Sequence, residues 1–244
     1  MALRGGLFII DLHDICFVIN RKDRPVRRET VKLQMKNRGI KYQIWDAYDD
    51  SNNHGFGSGT MYSCTKTHYD IICHALENKL KSIIIFEDDV VIRPDFHDLL
   101  VKSLKDLPKD WDFYYMGGVF DENYHRVTEN ILKVDHCWLV HAYIINYRSF
   151  EKVIGLLEKN FNHPKLTIDE FYAVSGLNMY FGLPMIAAQR IGISDVTAGV
   201  VCRSFGNHRF INIAKGIDGF GLEKFLTKDH MRKFEQMELK YANT

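Results

Sequence analysis

The sequence predicts an α/β fold, a mixed and mostly parallel sheet flanked by helices, and three observations predict it. Apolar runs of strand length alternate with amphipathic stretches of helix length. Several of those runs end on polar or acidic residues. A chain of 244 residues, 46% of them hydrophobic, can also bury a substantial core in a single domain. The first run, Ile15-Cys16-Phe17-Val18-Ile19-Asn20, is short, β-branched and aromatic, as a buried strand should be. Residues 21–25 then turn the chain, and Pro25 suits the first turn of a helix that runs to about Arg38, with Val31 and Met35 on one face and Gly39 as its stop. Residues 41–49 supply a second strand with an acidic end, and residues 51–59 form a Gly/Asn/Ser loop. A helix over residues 65–78 follows, with His68, Ile71, Ile72, Ala75 and Leu76 sharing one face.

The next strand carries the strongest chemical signal. Ser82-Ile83-Ile84-Ile85-Phe86 is apolar and ends abruptly on Glu87-Asp88-Asp89. Three like charges repel one another and lose solvation when partly enclosed, so something positive is expected among them. Oxygen-only donors suit a hard divalent cation, Mn²⁺ or Mg²⁺, and the C-terminal edge of the strands is where open α/β sheets bind ligands. This reads as a nucleotide-metal site. A solvated acidic turn is the other reading of the same residues.

The second half predicts a helix over residues 96–104, a strand over 112–116 ending on Gly117-Gly118, where a substrate could approach the backbone, a strand over 141–146 and a helix over 148–159. Its many aromatics, Phe113, Tyr114, Tyr115, Phe120, Tyr124, Trp138 and Tyr143, are read mainly as core, with some available to stack on sugar faces. In Thr167-Ile168-Asp169-Glu170, Thr167 and Glu170 satisfy a capping box. The charged stretch 219–244 reads as an amphipathic helical appendage.

A net charge of +1 argues against a nucleic-acid binder. The five cysteines are odd in number and widely spaced, which argues against a disulfide framework and for a reducing compartment. No apolar run approaches membrane-spanning length, and residues 7–10 are too short for a signal-peptide core, so the expected location is cytoplasmic.

Several ordered blocks resemble glycosyltransferase family 25, which includes lipooligosaccharide and procollagen galactosyltransferases. They are Phe17-Val18-Ile19-Asn20 with Arg24 and Arg28; Gly39-Ile40 through Trp45-Asp46-Ala47; Cys64 with Thr67-His68; and Ile84-Ile85-Phe86-Glu87-Asp88-Asp89-Val90. Weaker blocks follow at residues 141–145, Ile168-Asp169 and Ser194-Asp195-Val196. The chain departs from the family at Met61-Tyr62-Ser63-Cys64-Thr65-Lys66-Thr67-His68, where a Glu-Ile-Gly-Cys-x-x-Ser-His pattern is usual.

The resemblance implies a GT-A-like single domain, 1–244, with a nucleotide-sugar-binding half at 15–120, an acceptor half at 121–218 and a helical appendage at 219–244, and a metal-dependent, inverting transferase. Such an enzyme moves a hexose, galactose favoured, from a UDP-sugar to a hydroxyl of a glycan or of a hydroxylated protein side chain. Glu87, Asp89 and His208 are the expected metal ligands, Mn²⁺ or Mg²⁺ the cofactor, and Asp169 the expected base. Asn20, Arg24, Ala47, Thr67, His68 and Asp88 are expected around the donor. A non-catalytic nucleotide-sugar or glycan-binding module and a metal-dependent phosphohydrolase are the alternatives.

Overall fold

The computed structural model describes residues 16–49, 58–120, 123–161 and 167–189, together with the backbone of two short strands at 192–193 and 201–202. His208, Asp195 and the segment 219–244 lie outside the described residues. β1 (Cys16–Asn20), α1 (Pro25–Asn37), β2 (Gln43–Asp46), α2 (Ser58–Glu77) and β3 (Ser82–Glu87) follow the predicted order. β4 (Val90–Ile92), α3 (Phe96–Asp106) and β5 (Phe113–Tyr115) come next. Short strands then follow: β6 (Val119–Phe120), β7 (Tyr124–Arg126), β8 (Ile131–Val134), β9 (Cys137–Trp138) and β10 (Ala142–Asn146). After a 3₁₀ turn at Tyr147–Ser149 come α4 (Phe150–Asn160), α5 (Ile168–Ala173), β11 (Met179–Gly182), β12 (Ala187–Gln189), β13 (Gly192–Ile193) and β14 (Val201–Cys202).

Eight strands form one sheet in the order β2-β1-β3-β10-β5-β11-β8-β7. β1 runs parallel to β2 and β3, and β5 parallel to β11; the other four pairings are antiparallel. Six strands therefore share one direction, and β10 and β8 oppose them. The mixed, mostly parallel sheet expected from sequence is what the chain forms. Because β1, β2 and β3 are parallel while β10 opposes β3, three strand ends and one strand start meet at a single edge. Asn20, Asp46, Glu87 and His141 are brought together there.

The pleat sorts the core into two layers, since successive side chains on a strand point to opposite faces. Phe17, Ile83, Ile85, Phe113, Tyr115, Tyr143, Ile145 and Phe181 face one cluster, closed by α2, α4 and α5. Cys16, Val18, Ile84, Phe86, Tyr114, Ile144 and Tyr180 face the other, closed by α1 and α3. Of the aromatics that sequence analysis singled out, Phe113, Tyr114, Tyr115, Phe120 and Tyr143 are buried core, and Tyr124 and Trp138 are half-buried.

Two local contacts fix the layout around β4. Gln34, on α1, donates its side-chain amide to the Val90 carbonyl at 2.7 Å and accepts the Ile92 N–H at 3.0 Å. It lies along the side of β4 opposite to β12, its strand partner. At Gly117 a Cβ would stand 1.9 Å from the Ala187 carbonyl oxygen. The close approach expected there from a substrate is thus made by the protein's own backbone.

Candidate functional site

The acidic trio sits where β3 leaves the main sheet and turns into β4. Glu87 continues the register of Ile83 and Ile85 and faces α2, where its Oε1 lies 3.6 Å from His68 Nε2. Asp88 falls to the other side. Its carboxylate accepts from Asn20 Nδ2 at 2.6 Å and from the Arg27 guanidinium at 3.3 Å. Asp89 also receives Arg27 at 3.3 Å, and Gln189 Nε2 at 3.3 Å. The positive charge that three carboxylates demand is supplied in part by Arg27, whose side chain is 9% exposed.

Electrostatics distinguishes the three carboxylates. Burial pushes the Glu87 carboxyl up, but His68, His141 and Arg27 more than offset it, and the group ends below the usual carboxylate range. At Asp88 burial prevails over Arg27 and Asn20, and the carboxyl is held above its ordinary value. His141, at the start of β10, accepts the Glu87 N–H on its carbonyl at 2.9 Å. Burial holds its imidazole down to about 4, against the opposing pull of Glu87.

The residues expected around the donor form one connected group. The Ala47 N–H donates to the Asn20 carbonyl at 2.9 Å, and Asn20 Nδ2 also reaches the Arg24 carbonyl at 3.4 Å. Tyr48 donates its N–H to the Thr67 hydroxyl at 2.9 Å, and Thr67 donates to the Ser63 carbonyl one turn back on α2. Asn20, Arg24, Ala47, Thr67 and Asp88 are thereby tied through short contacts at the edge. His68 is stacked on Tyr143, with ring centroids 5.8 Å apart, and its Nδ1 lies 2.7 Å from the Tyr143 hydroxyl. That hydroxyl is 3.0 Å from the Tyr172 hydroxyl on α5.

Asp169 lies in the first turn of α5. Its carboxylate accepts from the Thr167 hydroxyl, from the Glu170 N–H at 3.1 Å and from the Leu139 N–H at 3.4 Å. The capping box read from the sequence is formed, with Glu170 accepting the Thr167 N–H at 2.7 Å. Burial, and then the charges of Glu87, Asp169 and Asp89, push the Cys64 thiol well up. Cys64 Sγ, a His68 ring nitrogen and a Glu87 oxygen lie within 4.8 Å of one another.

Three residues of the site were not picked out by sequence reading. Arg27 was passed over for Arg24 and Arg28, although its i+4 spacing to Val31, a core residue, puts it on the buried side of α1. His141 enters the sequence reading as a strand start and within a weaker family block, with no site role. Cys64 enters the sequence reading within a family block but with no site role, although it shares the α2 face of His68 at i+4.

An α/β sheet whose edge gathers carboxylates, an asparagine and a buried arginine defines the class, a mixed α/β fold with an acidic sheet-edge site. Residues 58–172, from the start of α2 into α5, match the model of glycosyltransferase family 25 (LPS biosynthesis protein). Procollagen galactosyltransferase 1-A of Xenopus laevis is 29% identical over 193 residues, covering 66% of this chain and 31% of its own. A glycosyltransferase 25 family member of Drosophila melanogaster is 24% identical over 185 residues, 65% of this chain and 30% of its own. The chain spans about a third of the length of these curated relatives. Among solved structures, a glycosyltransferase involved in glycosylation of the major capsid of PBCV-1 aligns with a TM-score of 0.38 at 10% identity. The alignment covers 61% of this chain and 68% of that one. The chain is similar to glycosyltransferase family 25 over that stretch. No helix among the described residues is long and apolar enough to cross a membrane.

Proposed function

We propose that the chain transfers a hexose, galactose favoured, from a UDP-sugar to a hydroxyl of a glycan or of a hydroxylated protein side chain, with inversion and with Mn²⁺ or Mg²⁺. The observation that carries this reading is the carboxylate trio at the sheet edge inside the stretch that matches the family. The donor chemistry fits a hard cation. Glu87 keeps a quarter-exposed carboxylate ionised at the edge, and Asp89 lies beside it at 12% exposure. Those two would hold the cation, while Asp88, committed to Asn20 and Arg27, would fix the turn. When bound, such an ion supplies positive charge where the departing diphosphate gathers negative charge. Asn20 and Ala47 would border the uracil and ribose, Thr67 and His68 would shape the pocket, and Arg24 would assist the phosphates. Asp169 would take the proton of the acceptor hydroxyl. His208 remains a proposed third ligand. A cytoplasmic, reducing setting is part of the proposal and agrees with four free cysteines among the described residues.

A second reading, nucleotide-sugar binding without transfer, is favoured by one observation: Arg27 already neutralises part of the trio. A screen of UDP-sugars for Mn²⁺-dependent UDP release, without and with glycan or hydroxylated-peptide acceptors, separates the two. Transfer predicts release that rises with acceptor and falls in Glu87→Ala and Asp89→Ala. Wild-type release in both variants, with intact folding, would sink the metal assignment. UDP binding without release would favour the second reading.

A further inference from the structure

We infer that Cys64, His68 and Glu87 form a three-ligand site for a borderline divalent cation of the Zn²⁺ type. The inference goes beyond the transferase reading and shares Glu87 and His68 with it. Cys64 and His68 stand one turn apart on α2, and Glu87 meets them from the end of β3. Their candidate ligand atoms already lie within 4.8 Å of one another. Bonds of about 2.0–2.3 Å from a tetrahedral ion place such atoms somewhat closer, so occupancy requires side-chain movements of no more than about an ångström.

His68 supplies the second observation. It is 1% exposed, and its Nε2 has no hydrogen-bond partner, the nearest carboxylate oxygen being Glu87 Oε1 at 3.6 Å. A buried ring nitrogen left without a partner is costly. The opposite nitrogen is engaged: Nδ1 lies 2.7 Å from the Tyr143 hydroxyl, which in turn contacts the Tyr172 hydroxyl at 3.0 Å. In the tautomer whose Nδ1–H donates to Tyr143, with Tyr143 donating to Tyr172, Nε2 directs its lone pair toward Cys64 and Glu87 and is free to bind a cation. Metal-bound histidines are held this way, by a partner on the far ring nitrogen.

The donor set decides the metal class. One sulfur, one nitrogen and one oxygen are the mixture that Zn²⁺ and Co²⁺ accept, whereas Mn²⁺ and Mg²⁺ prefer oxygen alone. Binding releases the thiol proton to solvent as the sulfur–metal bond forms, and the ion replaces the mutual repulsion of thiolate and carboxylate with attraction. Because Glu87 serves both sites, a Zn²⁺-type ion here removes one carboxylate from the Glu87/Asp89 pair, and the two ions compete.

Titration of the full chain with Co²⁺ tests the site, because a thiolate bound to Co²⁺ gives a charge-transfer absorption that oxygen and nitrogen donors alone do not. The wild-type protein is expected to take up one Co²⁺ with that absorption and to lose it on adding Zn²⁺. Cys64→Ser, nearly the same size at a half-buried position, should keep its fold by circular dichroism and lose the band. Tyr143→Phe should retain the band but weaken Co²⁺ binding by roughly 10–100-fold. Co²⁺ binding without the band, no Co²⁺ binding at all, or a band that survives in Cys64→Ser and so arises from another of the five cysteines, would each overturn the assignment. Failure of the transferase reading would show separately, as absent UDP release, and leaves the Co²⁺ titration unaffected.

Discussion

Arg27 holds two carboxylates with 9% of its side chain exposed, so replacing it leaves both charges without their guanidinium in a poorly solvated place. Arg27→Met keeps the volume and removes the charge. It should cost about 3–5 kcal/mol in urea unfolding, the range for breaking a buried pair by one partner, and a loss under 1 kcal/mol would show the pair to be solvated. His141 makes a pH prediction. Its folded-state value is depressed to about 4, below the ordinary histidine value of 6.5, so on acidification the unfolded chain takes up a proton that the folded chain refuses. Stability contributed by neutral His141 is therefore intact above 6.5 and is lost as pH falls toward 4, by up to about 3 kcal/mol. Glu87, with a lowered value, loses its contribution in a still lower window, and Asp88, with a raised one, acts in the opposite sense. Melting temperatures at pH 7 and pH 5 for wild type and His141→Gln should show a drop in the first that is largely missing in the second. At this scale the carboxylates were legible because three acids ending an apolar run are conspicuous in any register. Arg27 and His141 were not, because an arginine among four basic residues and a histidine opening a strand gain meaning only from what other elements bring against them.

A strand imposes a side on each residue, and β3 hands that rule on to the turn that follows it. Glu87 goes to α2 and Asp88 to α1, so a trio that reads as one cluster along the chain is divided between two layers. Counting by twos from Ile83 and Ile84 predicts this division once the strand's limits are known. Helix α5 bears on the proposed base. Asp169 is bonded to Thr167, Glu170 and Leu139, so both of its oxygens have structural work. If it also accepts the proton, Asp169→Asn should keep UDP affinity near wild type while transfer falls by roughly 10²–10⁴-fold. A purely structural role predicts a loss of about 1 kcal/mol or less with transfer preserved. Melting temperature, UDP affinity and transfer measured on one preparation decide between them. At β5's end, Gly117→Ala would drive a methyl group into the Ala187 backbone, which cannot yield as a side chain can. A destabilisation of about 1–3 kcal/mol is expected in chemical denaturation, and an unchanged midpoint would mean that β12 shifts freely.

Across the whole molecule, the sheet separates two cores that share almost nothing but backbone. Ile84 and Ile85 are neighbours in sequence yet belong to different layers. Ile84→Ala and Ile85→Ala should each cost about 2–5 kcal/mol in urea unfolding, and the double variant should come close to their sum; strong coupling would mean that the layers relax together. The first five elements were legible because each carries its own period and its own stop. The half after residue 120 was less so: β7, β8, β11 and β12 are three or four residues long, too short to show a period, and find their places only by pairing. The amide of Gln34 has a further consequence. By donating to Val90 and accepting from Ile92 it does for the outer side of β4 what a neighbouring strand would do, and it leaves no row of vacant donors and acceptors there for a strand of another molecule to join. One side chain on a helix thus acts as a guard against aggregation. Gln34→Leu should leave the fold intact while lowering the temperature at which light scattering rises in concentrated solution.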